Sequence, residues 1–358
     1  MRIIKDKLRS DTPRSRPTAA RLCALALLIV QAAGRAAAQP TTEATASILV
    51  FPKVLASAAR ETLIQITNTS NSLALARCFY VNAASSTVSA FTITLTRQQP
   101  THWVASLGRP LDPTDPQCSS TSNACNAAGL DPGSVPAFAA DFQGELLCVQ
   151  VSASGEPIGG NSLSGQATLT DLNTGDITQY SAVGLKGTAF AGSTGNTLPL
   201  DNSQFISGQY DACPNSWNLN HFAAGAVDDL AGAGSDVQTE ITVIPCTQDL
   251  SGFAPTGITL QFSITNEFEQ LFMATTIATG LVTVSLASID AGLTLANLGT
   301  PTARTQITPT EQGVIIVGEE IRTSPGPGPI STSAAVNLHH EGTRRNGVAP
   351  IDVIVLPN

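Results

Sequence analysis

The sequence has few charged and aromatic side chains, and it lacks the short motifs that mark many enzymes. Of its 358 residues, 13% are charged and 5% are aromatic. It has 18 Lys and Arg residues against 27 Asp and Glu residues and no basic block outside its N-terminus, so we expect no nucleic-acid partner. No Gly-x-Gly-x-x-Gly, Walker-type or His-Glu-x-x-His motif occurs, and each of those motifs carries a specific backbone requirement. We therefore expect no catalytic residues, no metal and no cofactor.

Long apolar runs are also lacking. Residues 22–30 form an apolar run of nine residues, which is too short to cross about 30 Å of hydrocarbon. A basic leader precedes this run, and Ala36, Ala37 and Ala38 follow it. This order predicts a secretory signal peptide over residues 1–38, with an uncleaved anchor as the alternative. The sequence thus indicates a secreted or periplasmic protein with no membrane span after signal cleavage.

Removal of the leader makes the chain more acidic. Residues 1–38 hold eight basic and two acidic residues, so the remaining chain has 10 basic and 25 acidic residues, a net charge of −15. Such a surface keeps a protein soluble and resists polyanions. The expected partner is therefore a protein or a carbohydrate ligand, whose identity the sequence does not give.

Six cysteines remain after the leader, which itself contains Cys23. An even count in an exported chain favours disulfides, and six cysteines allow fifteen connectivities. The pairings that fit the local patterns are Cys78 with Cys148, Cys118 with Cys125, and Cys213 with Cys246. The first pair lies in strand-like runs, the second flanks a polar loop-like stretch, and the third lies beside Pro214 and Pro245. A four-cysteine zinc site would need close Cys-x-x-Cys pairs, and the sequence has none.

The dominant pattern in the chain is alternation of apolar and polar residues. Every second residue is apolar in residues 91–96 and 258–265, as in strands with one buried face. Many such strands separated by Gly- and Pro-rich turns predict an all-β protein built from antiparallel β-sandwiches. Two of the strands end in Ile-Thr-Asn, at Asn68 and Asn266, which favours two sandwich domains. The expected boundaries are 39–190 for the first domain, 191–235 for a linker or long loop, and 236–358 for the second domain.

A strand that ends in asparagine and is followed by another apolar strand resembles the pattern of bacterial immunoglobulin-like surface and periplasmic modules. The whole chain also resembles exported proteins of environmental bacteria. Cys78 and Cys148 lie 70 residues apart, as core cysteines do in immunoglobulin domains. Trp103 comes later than the usual strand-C tryptophan, and Leu146 stands where the tyrosine corner has Tyr. The resemblance implies immunoglobulin-like sandwich domains and transfers no activity.

A few residue groups could carry binding chemistry. His339 and His340 with Glu341 form the best metal-site candidate, but adjacent residues on a strand face opposite ways. Residues 171–176 resemble the opening of a Ca²⁺ loop, although a hairpin turn fits them better. Residues 108–133, with Asp112, Asp115 and Asp131, are a weaker cation-site candidate.

Two further groups bear on carbohydrate binding. Trp103 and Trp217 are read as core residues because large aromatic side chains are more often buried than exposed. The acids of the second half that could serve a hydrolase are Glu267, Glu269, Glu319 and Glu320. The interpretation we favour is a non-catalytic binding or structural module outside the cytoplasm. The alternative is a secreted hydrolase or carbohydrate-active protein that uses the acidic residues of the second half.

Overall fold

Short strands make up most of the chain, as the alternating sequence pattern predicts. In the computed structural model 59% of the described residues are in strands and 4% in helices, and most strands pair antiparallel, which confirms the all-β class. The structure describes residues 42, 44–112, 131–138, 141–201, 209–228, 235–252, 255, 257–324, 331–341 and 351–358. The expected signal peptide, residues 1–38, lies outside the described residues.

The described part of the first half contains nine strands: β1 (Ile48–Ala56), β2 (Arg60–Asn68), β3 (Ala74–Asn82), β4 (Val88–Leu95), β5 (Pro100–Val104), β6 (Phe142–Val151), β7 (Leu163–Asp171), β8 (Ile177–Ser181) and β9 (Val183–Leu185). The second half adds β10 (Thr197–Leu200), β11 (Ser216–Phe222), β12 (Ala226–Asp228), β13 (Ser235–Pro245), β14 (Gln248–Asp249), β15 (Gly257–Asn266), β16 (Leu271–Thr279), β17 (Val282–Ser285), β18 (Thr302–Pro309), β19 (Val314–Thr323), β20 (Ser331–Asn337), β21 (His339–Glu341) and β22 (Asp352–Val355). The described helices are α1 (Leu286–Ile289), α2 (Leu295–Leu298) and a 3₁₀ turn at Ala291–Leu293. None of these helices is long or apolar enough to span a membrane.

β1 connects two groups of strands. Its first residues pair with β6 on one side and β9 on the other, and its last residue, Ala56, pairs with Glu61 of β2. The register with β6 shifts between Phe51 and Val54, which marks a β-bulge that contains Pro52. Proline has no N–H to donate to a strand ladder, so it fits best where the ladder is interrupted. The strand order is therefore β4-β3-β6-β1-β2-β7-β8, with β5 also paired to β2.

β1 and β6 are apolar at successive positions because both of their faces are covered. Ile48 and Leu147 belong to a hydrophobic cluster that extends into the second half, whereas Leu49 and Leu146 belong to a second cluster beneath β2 and β7. A strand buried on both faces needs apolar residues on both faces. Residues of both halves thus share one core, and Ala38–Asn358 form one compact unit. The division into two sandwich domains stays a prediction.

Two sheets of the second half contribute to the shared cluster. Their orders are β16-β15-β18-β11-β21 and β12-β13-β19-β20, and β17 also pairs with β13. Trp217, Phe262 and Ile316 are among their buried residues. A small third sheet has the order β10-β22-β14, in which β14 and β22 run parallel.

Residues 191–235, expected as a linker or long loop, contain β10, β11 and β12 in their described part. β11 lies between β18 and β21 inside a sheet, so this segment is not a connection throughout. Trp217, Leu219 and His221 are buried, whereas Asn220 is exposed. The strand alternation was present in the sequence, but the surrounding Gly- and Asn-rich stretches obscured it.

Two disulfides occur among the described residues, and they are two of the pairings that the sequence favours. Cys78 and Cys148 are register partners on the adjacent strands β3 and β6, with Cα atoms 4.0 Å apart. This bond lies within one sheet, whereas the immunoglobulin disulfide joins two sheets. Cys213 and Cys246 are bonded across 33 residues. Cys118 and Cys125 lie outside the described residues.

Candidate functional site

The four acids proposed for hydrolysis have separate surroundings. Glu319 is buried and ion-paired with basic residues of β1 and β2. Glu320 follows it on β19 and therefore points to the opposite face. Glu267 accepts hydrogen bonds from the start of β18, and Glu269 lies in the turn between β15 and β16. These positions do not form the paired-carboxylate cleft that the hydrolase alternative expects.

Both tryptophans are core residues, as predicted. Trp103 is 2% exposed and Trp217 is 1% exposed. Trp103 Nε1 donates to the Tyr80 hydroxyl at 2.6 Å, and Trp217 Nε1 donates to the Val314 carbonyl at 2.9 Å. A buried indole needs such a partner for its N–H. Neither ring is available as a stacking platform for a sugar.

The two adjacent histidines face opposite ways, as expected for neighbours on a strand. The His340 ring packs at an angle against Trp217, with ring centroids 5.1 Å apart. His339 is exposed, and its Nε2 lies 3.4 Å from Glu341 Oε1. The two imidazoles therefore do not converge on one point where a metal could bind both.

Residues 171–176, which resemble the opening of a Ca²⁺ loop, form the turn between β7 and β8. Asp171 Oδ1 accepts hydrogen bonds from two backbone amides of the β7–β8 turn, and these bonds lower the pKa of Asp171. The hairpin interpretation of residues 171–176 is thus confirmed. Asp131 accepts a hydrogen bond from Arg109 at 2.5 Å, while Asp115 lies outside the described residues.

A buried ionic network occupies the bulge of β1. Lys53 Nζ contacts Glu319 Oε2 and lies 3.6 Å from Glu240 Oε2. Arg60 Nη2 donates to the other Glu319 oxygen at 2.5 Å. The Tyr180 hydroxyl accepts from the Lys53 backbone N–H and donates to the Lys53 carbonyl, which satisfies both backbone groups at the bulge. The network therefore ties β1 and β2 to β13 and β19.

Glu319 remains ionised in this buried position. Burial acts to raise the pKa of Glu319, but the charges and hydrogen bonds of Lys53 and Arg60 outweigh it and hold the pKa at about 2. Such a network perturbs a pKa for structural reasons as readily as for catalytic ones. Because the charges of this ionic network face each other, we assign it a structural role and not a catalytic one.

A cavity of about 180 Å³, here called the Glu145 cavity, lies between the β3–β4 turn and the chain that follows β13. Its walls include Val81, Val88, Glu145, Ile244, Gln248, Leu250 and Leu281. Glu145 is on the face of β6 that also carries Leu147 and so points toward the second half. The lining also includes the polar residues Asn82, Thr247 and Asp249, so the cavity offers both apolar and polar contacts to a small ligand.

Glu145 is the buried titratable group of this cavity. The residue is 2% exposed, and Gln248 Nε2 donates to its Oε2 at 3.2 Å. Burial raises the pKa of Glu145 to about 8, and the Gln248 hydrogen bond offsets only part of that effect. At neutral pH the group is therefore mainly uncharged in the empty cavity. Sequence reasoning missed it because an acid between Gly144 and Leu146 looks like an outward-facing residue.

β16 is an edge strand with exposed apolar side chains. It pairs with β15 and, within the described residues, with no other strand. Leu271, Met273 and Ile277 point outward from it and are 63%, 66% and 74% exposed. No residue from 270 to 289 is charged. Natural edge strands are usually short, charged or interrupted by proline, and Leu271–Thr279, here called the β16 edge, has none of these protections.

Asn266 builds the turn that begins the β16 edge. Its Oδ1 accepts hydrogen bonds from the Phe268 and Gln270 amides, and its Nδ2 donates to the Leu298 carbonyl. Phe268 is 71% exposed at the tip of this turn. The buried asparagine therefore presents an aromatic ring next to the apolar stripe of β16.

Comparison with known proteins gives no functional assignment. No family model and no curated protein matches the chain. A crystal structure described as Thermotoga maritima 1070 is similar over 39% of this chain and 93% of its own, at 10% identity and a TM-score of 0.24. That likeness is too low to support an argument about fold or function. The class defined here is thus an antiparallel all-β protein with two disulfides among its described residues.

Proposed function

We propose that the chain is an exported, non-catalytic module that works by association through the β16 edge. The observation that carries the proposal is the row of exposed Leu271, Met273 and Ile277 on an open, uncharged edge strand. An open edge offers unpaired backbone N–H and C=O groups to an incoming strand. Exposed apolar side chains beside them add the hydrophobic contribution that strand pairing alone lacks.

The partner we propose is a second copy of the same chain. The whole chain carries a net charge of −9, so two copies repel each other over most of their surface. The β16 edge is uncharged, and repulsion is least where two such edges meet. A twofold arrangement also uses the same patch on both copies, which is the commonest symmetry of soluble dimers.

The residue spacing of β16 suits antiparallel self-pairing. If Thr275 lies on the twofold axis, Met273 of one copy lies opposite Ile277 of the other, and Leu271 lies opposite Thr279. All of these side chains are on one face because residues two apart share a face of a strand. Cross-strand apolar pairs of this kind contribute about 0.2–1 kcal/mol each.

The test is the oligomeric state of the exported chain by sedimentation velocity between about 1 and 200 µM. We expect a concentration-dependent dimer in the unsubstituted chain and a monomer in Met273→Lys/Ile277→Lys, because lysines on an edge oppose strand addition. The matched control, Gln261→Lys/Ser263→Lys, places two lysines on the same outward face one strand further in and should still dimerise. Circular dichroism checks that both variants fold.

Two results would overturn the proposal. One is an unsubstituted chain that stays monomeric over the whole concentration range. The other is a dimer that survives the lysines on β16, since its interface would then lie elsewhere. Export itself is tested by the intact mass of the chain recovered outside the cytoplasm, which should begin at Gln39.

A further inference from the structure

The Glu145 cavity holds a buried acid without a basic partner. Its described lining contains no Lys, Arg or His, and the other titratable residue there is Asp249. The Asp249 carboxylate is already engaged, because Oδ1 accepts hydrogen bonds from Ser251 and Gly252 in the turn that follows. Glu145 therefore lacks the cation that normally accompanies a buried carboxylate.

One buried hydrogen-bond acceptor beside the cavity has no partner among the described residues. Glu145 Oε2 accepts a hydrogen bond from Gln248 Nε2 at 3.2 Å. Gln248 Nε2 also donates to the Pro245 carbonyl at 3.0 Å, while Gln248 Oε1 is buried and without a partner. Buried polar atoms are satisfied in nearly all native structures, so an unmet acceptor at a cavity calls for a donor from outside the chain.

The geometry points to a small organic ammonium ion as the ligand of this cavity, with its N–H groups donating to Glu145 and Gln248. An ammonium group supplies several donors and no acceptor, which matches the unpartnered Gln248 oxygen and the Glu145 carboxylate beside it. The apolar wall formed by Val81, Leu250 and Leu281 suits a short hydrocarbon body on that ammonium. An anionic ligand would instead face two carboxyl groups and no positive charge.

Binding of such a cation is coupled to loss of a proton. The empty cavity holds Glu145 mainly as the neutral acid at pH 7, because burial raises its pKa to about 8. When the ammonium binds, the carboxyl proton leaves to solvent and the carboxylate forms the ion pair. The apparent affinity scales with the ionised fraction, so it should rise roughly fifty-fold between pH 6 and pH 8. A neutral hydrogen-bond acceptor would show the reverse, since it needs the protonated acid as donor.

The experiment titrates the purified chain with n-butylammonium chloride at pH 6, 7 and 8 by calorimetry in two buffers of different ionisation enthalpy. We expect affinity that rises with pH, release of close to one proton at pH 7, and much weaker binding of n-butanol. Glu145→Gln keeps the shape and the Gln248 contact but removes the charge, and it should abolish binding and proton release. Asp249→Asn, the control, should bind within about threefold of the unsubstituted chain because an exposed, engaged carboxylate is well screened.

Several outcomes would overturn the inference. An affinity for butylammonium that does not change or falls as pH rises would indicate a site for an uncharged ligand. Equal binding of butanol would indicate a purely apolar site. Binding that is retained in Glu145→Gln and lost in Asp249→Asn would show that Asp249, and not Glu145, binds the cation. Absence of butylammonium binding at every pH would reject the ammonium class. An unchanged fold of Glu145→Gln, checked by its unfolding transition, keeps each of these results interpretable.

Discussion

Glu319→Gln is the substitution that most directly tests how the two halves of the chain are joined. It removes the anion shared by Lys53 and Arg60 while it preserves the size of the side chain. Glu240 would be the nearest remaining acid, 3.6 Å from Lys53 Nζ and partly exposed. A buried ammonium would then face a neutral amide and a second cation.

The expected cost follows from two separate considerations. Breaking a buried ion pair by removing one partner typically costs about 3–5 kcal/mol. Independently, the depression of the Glu319 pKa from 4.5 to about 2 corresponds to about 3 kcal/mol of preference for the ionised form in the folded state. We therefore expect Glu319→Gln to lower the free energy of unfolding by about 3 kcal/mol at pH 7.

The assay is urea unfolding, with the loss read from the midpoint at an unchanged m-value. Glu320→Gln, the same change at the next residue of β19, is the control and should cost under about 1 kcal/mol. The double variant Lys53→Met/Glu319→Gln should be less destabilised than Glu319→Gln alone, because no buried ammonium is left unpaired. A loss below about 1 kcal/mol for Glu319→Gln, or a double variant with fully additive losses, would refute the reasoning.

Two further predictions concern buried polar residues. The pKa of folded Glu145 lies above its unfolded value, so its contribution to stability is present below about pH 4.5 and is lost as pH rises through 8, by up to about 5 kcal/mol. Unfolding followed across this range should show the decline, and Glu145→Gln should remove it. Asn68→Ala and Asn266→Ala should each lower the free energy of unfolding by about 2 kcal/mol, whereas exposed Asn220→Ala should change it by less than about 0.5 kcal/mol in the same urea assay.

The strands could be predicted from the sequence because the alternation of apolar and polar residues shows which side chains are buried. Residues 258–265 alternate strictly, and β15 buries the apolar member of each pair. The repeated Ile-Thr-Asn was also a structural signal, although the sequence could not show what it meant. Asn68 and Asn266 are both buried at a strand end, and each uses its side-chain amide to hold the turn that follows. Asparagine suits this task because it has both donors and an acceptor.

Pairing between distant strands could not be read in the same way. The apolar runs of β1 and β6 show that both faces are covered, but they do not say by what. Lys53 lies four residues before the exposed start of a turn and reads as a solvated charge, yet it is buried because a bulge turns it toward Glu319. The contact joins residues 266 positions apart. Local periodicity carries no information at that range.

The two features on which the functional proposals rest are set by topology. Leu271, Met273 and Ile277 alternate with Phe272 and Ala274, so this stretch is apolar on both faces and reads like a strand buried on both sides. The order of strands in its sheet places β16 last, and one apolar face is left uncovered. Glu145 shows the opposite case, since its neighbours suggest an exposed acid and the second half of the chain buries it. In both places the observed exposure of the side chain differs from the exposure that its sequence neighbours predict. Positions where the local sequence and the overall fold disagree in this way are where binding sites are expected.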